Sequence, residues 1–304
     1  MVLDLSQFHA PVSDFVSWPE NAEEWERYRL TEKQIADFER DGYIAGIEIL
    51  DEKQIEILCS ELDGLMQRDH PANSLFYEYN SNESQDPNTA LFHALGAWRA
   101  EPGFHDILWH PAIVMPMAQL LRGPIRLWHD QLFCKPAKHG GVVAWHQDYS
   151  YWTRTVPMAH LTCWIGLDDS TRENGCLYYV PGSHRWNLLP RTGLTGNMEE
   201  IMTVLSEEQK DAFRPVPIEL RRGQCSFHHP LMVHGSYANY SERPRRATLV
   251  NAFRDGVKSA SDTELLAGVP SIAVGAPMSG QFFPLLFDPE LAGVHFSSAA
   301  PLPG

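Results

Sequence analysis

Trp145-His146-Gln147-Asp148 places an imidazole and a carboxylate two positions apart, in a stretch (142–148) that alternates like a β-strand. Side chains on a strand alternate between faces, so His146 and Asp148 are expected to project together. Both groups ligate first-row divalent metals, and one distant histidine would complete a set of two histidines and one carboxylate. That set leaves three positions open on a non-haem Fe(II), the arrangement of an oxygenase. His234 is the candidate third ligand; Ser236 follows two residues later, and Arg245 lies eleven beyond. On a strand, Ser236 would share the face of His234.

The 304 residues, 43% of them hydrophobic, suffice for one large domain with a sizeable core. The formal charge of −15, from 39 acidic against 24 basic residues, disfavours nucleic acid and anionic lipid as partners and leaves a small-molecule substrate as the expectation. The oligomeric state is not legible. Five scattered cysteines form no Cys-x-x-Cys pair and no even framework, so they read as reduced core thiols. The first twenty residues carry acids and prolines rather than a basic start and an apolar run, and no stretch has membrane-spanning length. A soluble, cytoplasmic protein is expected.

The elements that must position these residues follow from periodicity and caps. Thr31-Glu32-Lys33-Gln34 fits a capping box, with Asp41-Gly42 as the stop. A second helix begins near Asp51, with Ile55, Leu58, Leu62 and Leu65 on one face. Residues 70–90 have turn composition and read as a long loop bordering a pocket; a further helical segment spans about 105–122, with Pro111 near a start. From 124 to 255, short aromatic and β-branched runs between Pro/Gly turns predict an antiparallel sandwich or barrel. An insertion at 184–214 carries another capped helix from Ser206. The expected organisation is one domain over 1–304: a helical part (1–123), the β core (124–255), and a tail (256–304) without clear periodicity.

Four ordered motifs, His146-x-Asp148, Asn174-Gly175-Cys176-Leu177, Pro181-Gly182-Ser183-His184 and His234-Gly235-Ser236 with Arg245-Arg246-Ala247, make the chain resemble the phytanoyl-CoA dioxygenase family over about residues 30–255. The resemblance implies a mainly β fold with flanking helices, whose core is a double-stranded β-helix (jelly roll, cupin-like). It also implies Fe(II), 2-oxoglutarate as cosubstrate and O2, with decarboxylation to succinate and CO2 coupled to hydroxylation of a small organic molecule. His146, Asp148 and His234 would be the catalytic metal ligands. Arg245 would clamp the far carboxylate of the cosubstrate, a role suited to a bidentate and permanently charged guanidinium, and Ser236 would donate a hydroxyl to it. The same resemblance points to Gln131 and Trp164 as cosubstrate-pocket residues. The carboxylate at Asp148 favours hydroxylation over halogenation, since halogenating relatives leave that position free for chloride.

Each assignment has a structural competitor. His228 and His229 lack the following Gly-Ser and the arginine spacing, and read as structural. Arg245 and Arg246 should point to opposite faces, so only one enters a pocket. Asn174-Gly175 and Pro181-Gly182 read as conformational. Tyr149, Tyr151 and Trp152 are either a substrate wall or core, and Arg154 either pairs with an anionic substrate group or is solvated. Desaturation, epimerisation or cyclisation would use the same ligands. A cupin-like metal isomerase or hydrolase without 2-oxoglutarate and a non-catalytic jelly-roll binder are the remaining alternatives; an arginine clamp speaks against the first, an intact ligand set against the second.

Overall fold

The computed structural model describes residues 2–296. Two antiparallel sheets form a double-stranded β-helix. The larger sheet runs, in spatial order, Tyr43–Glu48, Gln224–His228, His160–Gly166, Arg245–Arg254, Ile125–Lys135, Phe92–Leu95 and Glu78–Asn80, with Leu285–Phe287 also paired to Ile125–Lys135. The smaller runs Val143–His146, His234–Ser236, Leu177–Tyr179 and Val216–Ile218.

Period-two alternation sorts the interior. Along Arg245–Arg254, Ala247 and Leu249 pack between the sheets with Phe133, Trp164 and Leu177. Val250 and Ala252 face the other way, into a cluster shared with Leu58, Leu62 and Ile113 of the helices. The helix Pro111–Leu121 packs across three central strands of the larger sheet, and Glu52–Leu65 packs on Pro102–Asp106. The outer face of the smaller sheet is covered by the insertion: Leu189, Ile201 and Leu205 bury Trp145, Val180 and Val233.

The capping boxes at Thr31 and Ser206 form with both reciprocal bonds, and Asp51 caps its helix in the same way. Gly42 ends the first of these at φ 84°, and a Cβ there would collide with the His184 ring. The helical segment expected at 105–122 is divided, because Pro111 opens a second helix at its first position after a 3₁₀ turn, Ile107–Trp109.

One expectation needs correction. The stretch 1–123 is not only helical, since it supplies three strands of the larger sheet: Tyr43–Glu48, Glu78–Asn80 and Phe92–Leu95. The first hides its alternation because Gly46, at φ 83°, bulges between Ala45 and Ile47. The other two are too short for a periodic signal. The tail is also tied down: Lys258–Ser259 pairs with Thr155–Val156, and Phe283 stacks on Trp128. Residues 297–304 of the tail lie outside the described residues. Among the described residues, no helix is long and apolar enough to cross a membrane.

Leu62 is fully buried in the helix-to-sheet cluster. Leu62→Ala is expected to cost about 2–5 kcal/mol in urea unfolding; a loss below about 1 kcal/mol would show that this helix face does not anchor the sheet.

Candidate metal centre and its cavity

The strand carrying His146 ends at that residue, and Asp148 (φ −56°, ψ −44°) enters the helical turn Tyr149–Trp152. The turn, rather than the expected strand alternation, brings the two side chains together. Asp148 Oδ1 lies 3.5 Å from His146 Nε2 and 3.6 Å from His234 Nε2. His234 is the register partner of His146, and their ring centroids are 4.2 Å apart. Gly235 permits this approach, since a Cβ there would sit 3.0 Å from Val143 O.

Each imidazole is oriented by its own strand. His146 Nδ1 donates to Ala144 O at 2.7 Å and His234 Nδ1 to Met232 O at 2.9 Å, which fixes the tautomer and leaves both Nε2 atoms facing Asp148. Burial, with His146 close by, holds His234 well below its usual range and hence neutral. Burial alone would raise the Asp148 carboxyl, but its contacts with the surrounding histidines, among them the hydrogen bond that His228 Nε2 donates to Oδ2, hold it well below the carboxylate range. Neutral imidazoles and an ionised carboxylate are the forms that ligate a divalent metal. The three ligand atoms lie within 4.8 Å of one another and fit a single ion.

The other oxygen of Asp148 is engaged separately. Oδ2 accepts from Thr162 Oγ1 at 2.8 Å and from His228 Nε2 at 3.0 Å. His228 Nδ1 in turn accepts from the Tyr179 hydroxyl at 2.9 Å. His228 is therefore no cavity ligand, but it orients one, a role that the chain order did not reveal. Ser183 Oγ accepts from Val233 N at 2.9 Å, so Pro181-Gly182-Ser183-His184 fastens the His234 strand, while Asn174 closes its own turn through Thr171 N and Asp169 O.

Arg245 enters the same cavity, whereas Arg246 points away and pairs with Asp168. Only 1% of Arg245 is exposed, and its Nη2 donates to Ser236 Oγ at 3.4 Å while its guanidinium lies over the Trp164 ring. Its Nε and Nη1 are buried without partners. Burial lowers its pKa to about 10 and pulls the adjacent Lys135 amine well down too. Lys135 is satisfied by the carbonyls of Ser236 and Tyr237. The orphaned guanidinium N–H groups therefore call for an anion within the cavity, and a carboxylate fits the fork.

The cavity has a volume of about 340 Å³. Gln131, Trp164, Ser236, Trp152 and Arg154 all line it, together with Tyr151. Tyr149 does not: it is buried in the tail cluster with its hydroxyl on Thr155 O, which corrects its expected place at the substrate. Arg154 is not free either, since its guanidinium donates to Glu264 O at 2.6 Å and Leu265 O at 2.8 Å, pinning the tail that walls the cavity with Leu265 and Leu266. Sequence reasoning missed Glu78, Glu83, His93 and His129, and the tail residues. A bulge that aims both Trp128 and His129 inward has no signature in the local pattern.

A double-stranded β-helix holding two histidines and a carboxylate in one cavity defines the class of iron- and 2-oxoglutarate-dependent oxygenases. Within it, the phytanoyl-CoA dioxygenase (PhyH) model matches residues 38–247, and the chain belongs to that family, whose members are oxidoreductases using Fe(II), 2-oxoglutarate and O2. A phytanoyl-CoA dioxygenase of Arabidopsis thaliana is 27% identical over 270 residues, 77% of this chain and 92% of that protein. An L-proline trans-4-hydroxylase of Streptomyces griseoviridis is 28% identical over 167 residues, 52% of this chain and 56% of the hydroxylase. The epimerase SnoN from nogalamycin biosynthesis superposes with a TM-score of 0.69 at 26% identity, covering 85% of this chain and 96% of its own. The same epimerase has been solved with Fe3+, alpha-ketoglutarate and nogalamycin RO.

His228→Leu removes one of the two bonds to Asp148 Oδ2. Fe(II) affinity measured by anaerobic titration is expected to fall about 10–100-fold while the circular dichroism spectrum is retained; native affinity in the variant would remove His228 from the support of the site.

Proposed function

We propose that this oxygenase hydroxylates a small organic molecule, with His146 Nε2, Asp148 Oδ1 and His234 Nε2 holding Fe(II). Arg245 binds the far carboxylate of 2-oxoglutarate, Ser236 adds a hydroxyl, and Gln131 and Trp164 flank the cosubstrate. The observation that carries this reading is the buried Arg245, with two guanidinium nitrogens unpartnered, in the cavity of the ligand cluster. A Lewis-acid isomerase or hydrolase has no use for such a clamp. When bound, the iron with 2-oxoglutarate and O2 would supply the oxidant for an unactivated C–H bond, with succinate and CO2 released.

The chain's own residues orient and exclude. The Nδ1 bonds of His146 and His234 set the direction in which their lone pairs point, and Thr162 and His228 keep Asp148 from rotating Oδ1 away. Trp152 and the tail wall exclude bulk water from the substrate side. Hydroxylation is favoured because Asp148 supplies a carboxylate that halide would otherwise replace, and a proline hydroxylase is among the relatives. Likeness to an epimerase supports hydrogen abstraction without oxygen transfer as the second reading.

Iron-loaded protein is expected to release succinate from 2-oxoglutarate and to place one atom of ¹⁸O₂ in the oxidised substrate. Product free of ¹⁸O, with succinate still released, selects the second reading. Arg245→Gln strips the cosubstrate carboxylate of its buried partner, and 2-oxoglutarate affinity is expected to fall on the order of a hundredfold or more, since breaking a buried charge pair costs about 3–5 kcal/mol. Unchanged affinity in that variant rules the clamp out.

A further inference from the structure

The cavity contains a second polar cluster, remote in sequence from the ligand motifs. Glu78, Glu83 and His93 bring their ligand-type atoms within 4.8 Å of one another, and all three line the cavity that holds His146, Asp148 and His234. His93 is 3% exposed and stacks flat on Phe133, with centroids 4.2 Å apart and an interplanar angle of 12°. Its Nδ1 lies 2.7 Å from Glu83 Oε2 but off the axis of a hydrogen bond, so Nδ1, Nε2 and Oε2 are all buried without a hydrogen-bond partner. A buried His93 Nε2 with no polar partner, beside a His93–Glu83 contact of poor hydrogen-bond geometry, costs stability unless a ligand satisfies it.

The chemistry of these atoms states what the ligand must offer. Two carboxylates present only acceptor oxygens, and the His93 ring nitrogen that carries no proton adds a lone pair. The complement is a cation rich in N–H donors. Aromatic side chains frame the same space, Tyr77, Trp128, Phe133, Tyr151 and Trp152, and their faces favour a cation as well. The nearby cations do not serve. Arg154 is committed to tail carbonyls, and Arg191 is exposed to solvent at the rim with its guanidinium over the Tyr151 ring, 4.2 Å from the centroid.

We propose that the Glu78–Glu83–His93 cluster is the substrate-recognition site, and that the substrate is a small molecule bearing a protonated amine. An alkylammonium ion, with a pKa of about 10, is charged at neutral pH. Its N–H groups donate to Glu83 Oε2 and His93 Nε2, with Glu78 adding charge at the more exposed edge. The amine end is thereby fixed at this wall, and the body of the substrate lies along Phe133 and Trp152 toward the ligand cluster. A divalent metal is the competing occupant of the same donor set. The amine is favoured because the cluster opens into the cavity of the oxygenase site and has no enclosure of its own. This inference rests on the oxygenase reading, since it assigns the substrate of that same cavity.

The test uses three ring-matched probes, cyclohexylamine, cyclohexanol and cyclohexanecarboxylate, titrated calorimetrically under anaerobic conditions into protein holding Fe(II) and 2-oxoglutarate. Cyclohexylamine is expected to bind at least tenfold tighter than the other two, and Glu83→Gln to remove that preference; His93→Leu is expected to reduce it. Both variants are expected to keep native 2-oxoglutarate binding, read in the same instrument, which separates loss of the subsite from loss of the fold. Equal binding of the three probes, preference for the carboxylate, or an amine preference that survives Glu83→Gln overturns the proposal. So does stoichiometric Zn2+ binding that is abolished by Glu83→Gln while cyclohexylamine does not bind. Failure of 2-oxoglutarate to bind the native protein strikes the oxygenase reading instead, and the amine titration of the same sample still decides the subsite.

Discussion

The Asp148 carboxylate, shared between two sets of partners, is the constraint on which the rest of the site depends. Oδ1 faces the Nε2 atoms of His146 and His234, while Oδ2 is held by Thr162 and His228. A carboxylate with one oxygen tied back cannot rotate both lone-pair sets away from a metal, so the ligand direction is built in before any ion arrives. The ties come from two neighbouring strands of the larger sheet, His160–Gly166 and Gln224–His228, whereas both histidines sit on the smaller sheet. The site therefore exists only where the two sheets meet, and packing between them sets its geometry.

The cavity is electrically divided. At one end Arg245 and Lys135 are buried together, and the guanidinium adds to the desolvation that pulls the Lys135 amine down. Lys135 has two carbonyls, but Arg245 keeps unsatisfied N–H groups, so this end is complementary to a buried anion. At the far wall the unsatisfied atoms are a Glu83 oxygen, which only accepts, and the two ring nitrogens of His93, of which the unprotonated one accepts. An acidic cosubstrate and a donor-bearing substrate would each complete one end, with the histidine–aspartate cluster in the same space. The tail closes this volume from the side, and Arg154 serves it as a fastener by bonding the carbonyls of Glu264 and Leu265.

Much of the site was legible because its key residues occur in short local motifs. His146-x-Asp148, His234-Gly-Ser and Arg245 carry their spacing within a few residues, and Thr31 and Ser206 announce their helices through reciprocal caps. Opposed facing of Arg245 and Arg246 followed from strand alternation alone. What was not legible depends on long-range pairing. His228 reaches Asp148 across 80 positions, the strand Tyr43–Glu48 finds its partner near residue 225, and Leu265 returns to a wall first built near residue 130. Asp148 itself was placed beside His146 for the wrong local reason, because a helical turn replaces the strand after His146 and still converges the two side chains.

The central claim is that the cluster and Arg245 together bind an iron–2-oxoglutarate chelate. The most direct measurement is the visible spectrum of anaerobic protein during addition of Fe(II) and then 2-oxoglutarate. A metal-to-ligand charge-transfer band that saturates at one cosubstrate per chain is the predicted result. Folded, iron-loaded protein that develops no such band at saturating 2-oxoglutarate would contradict the account.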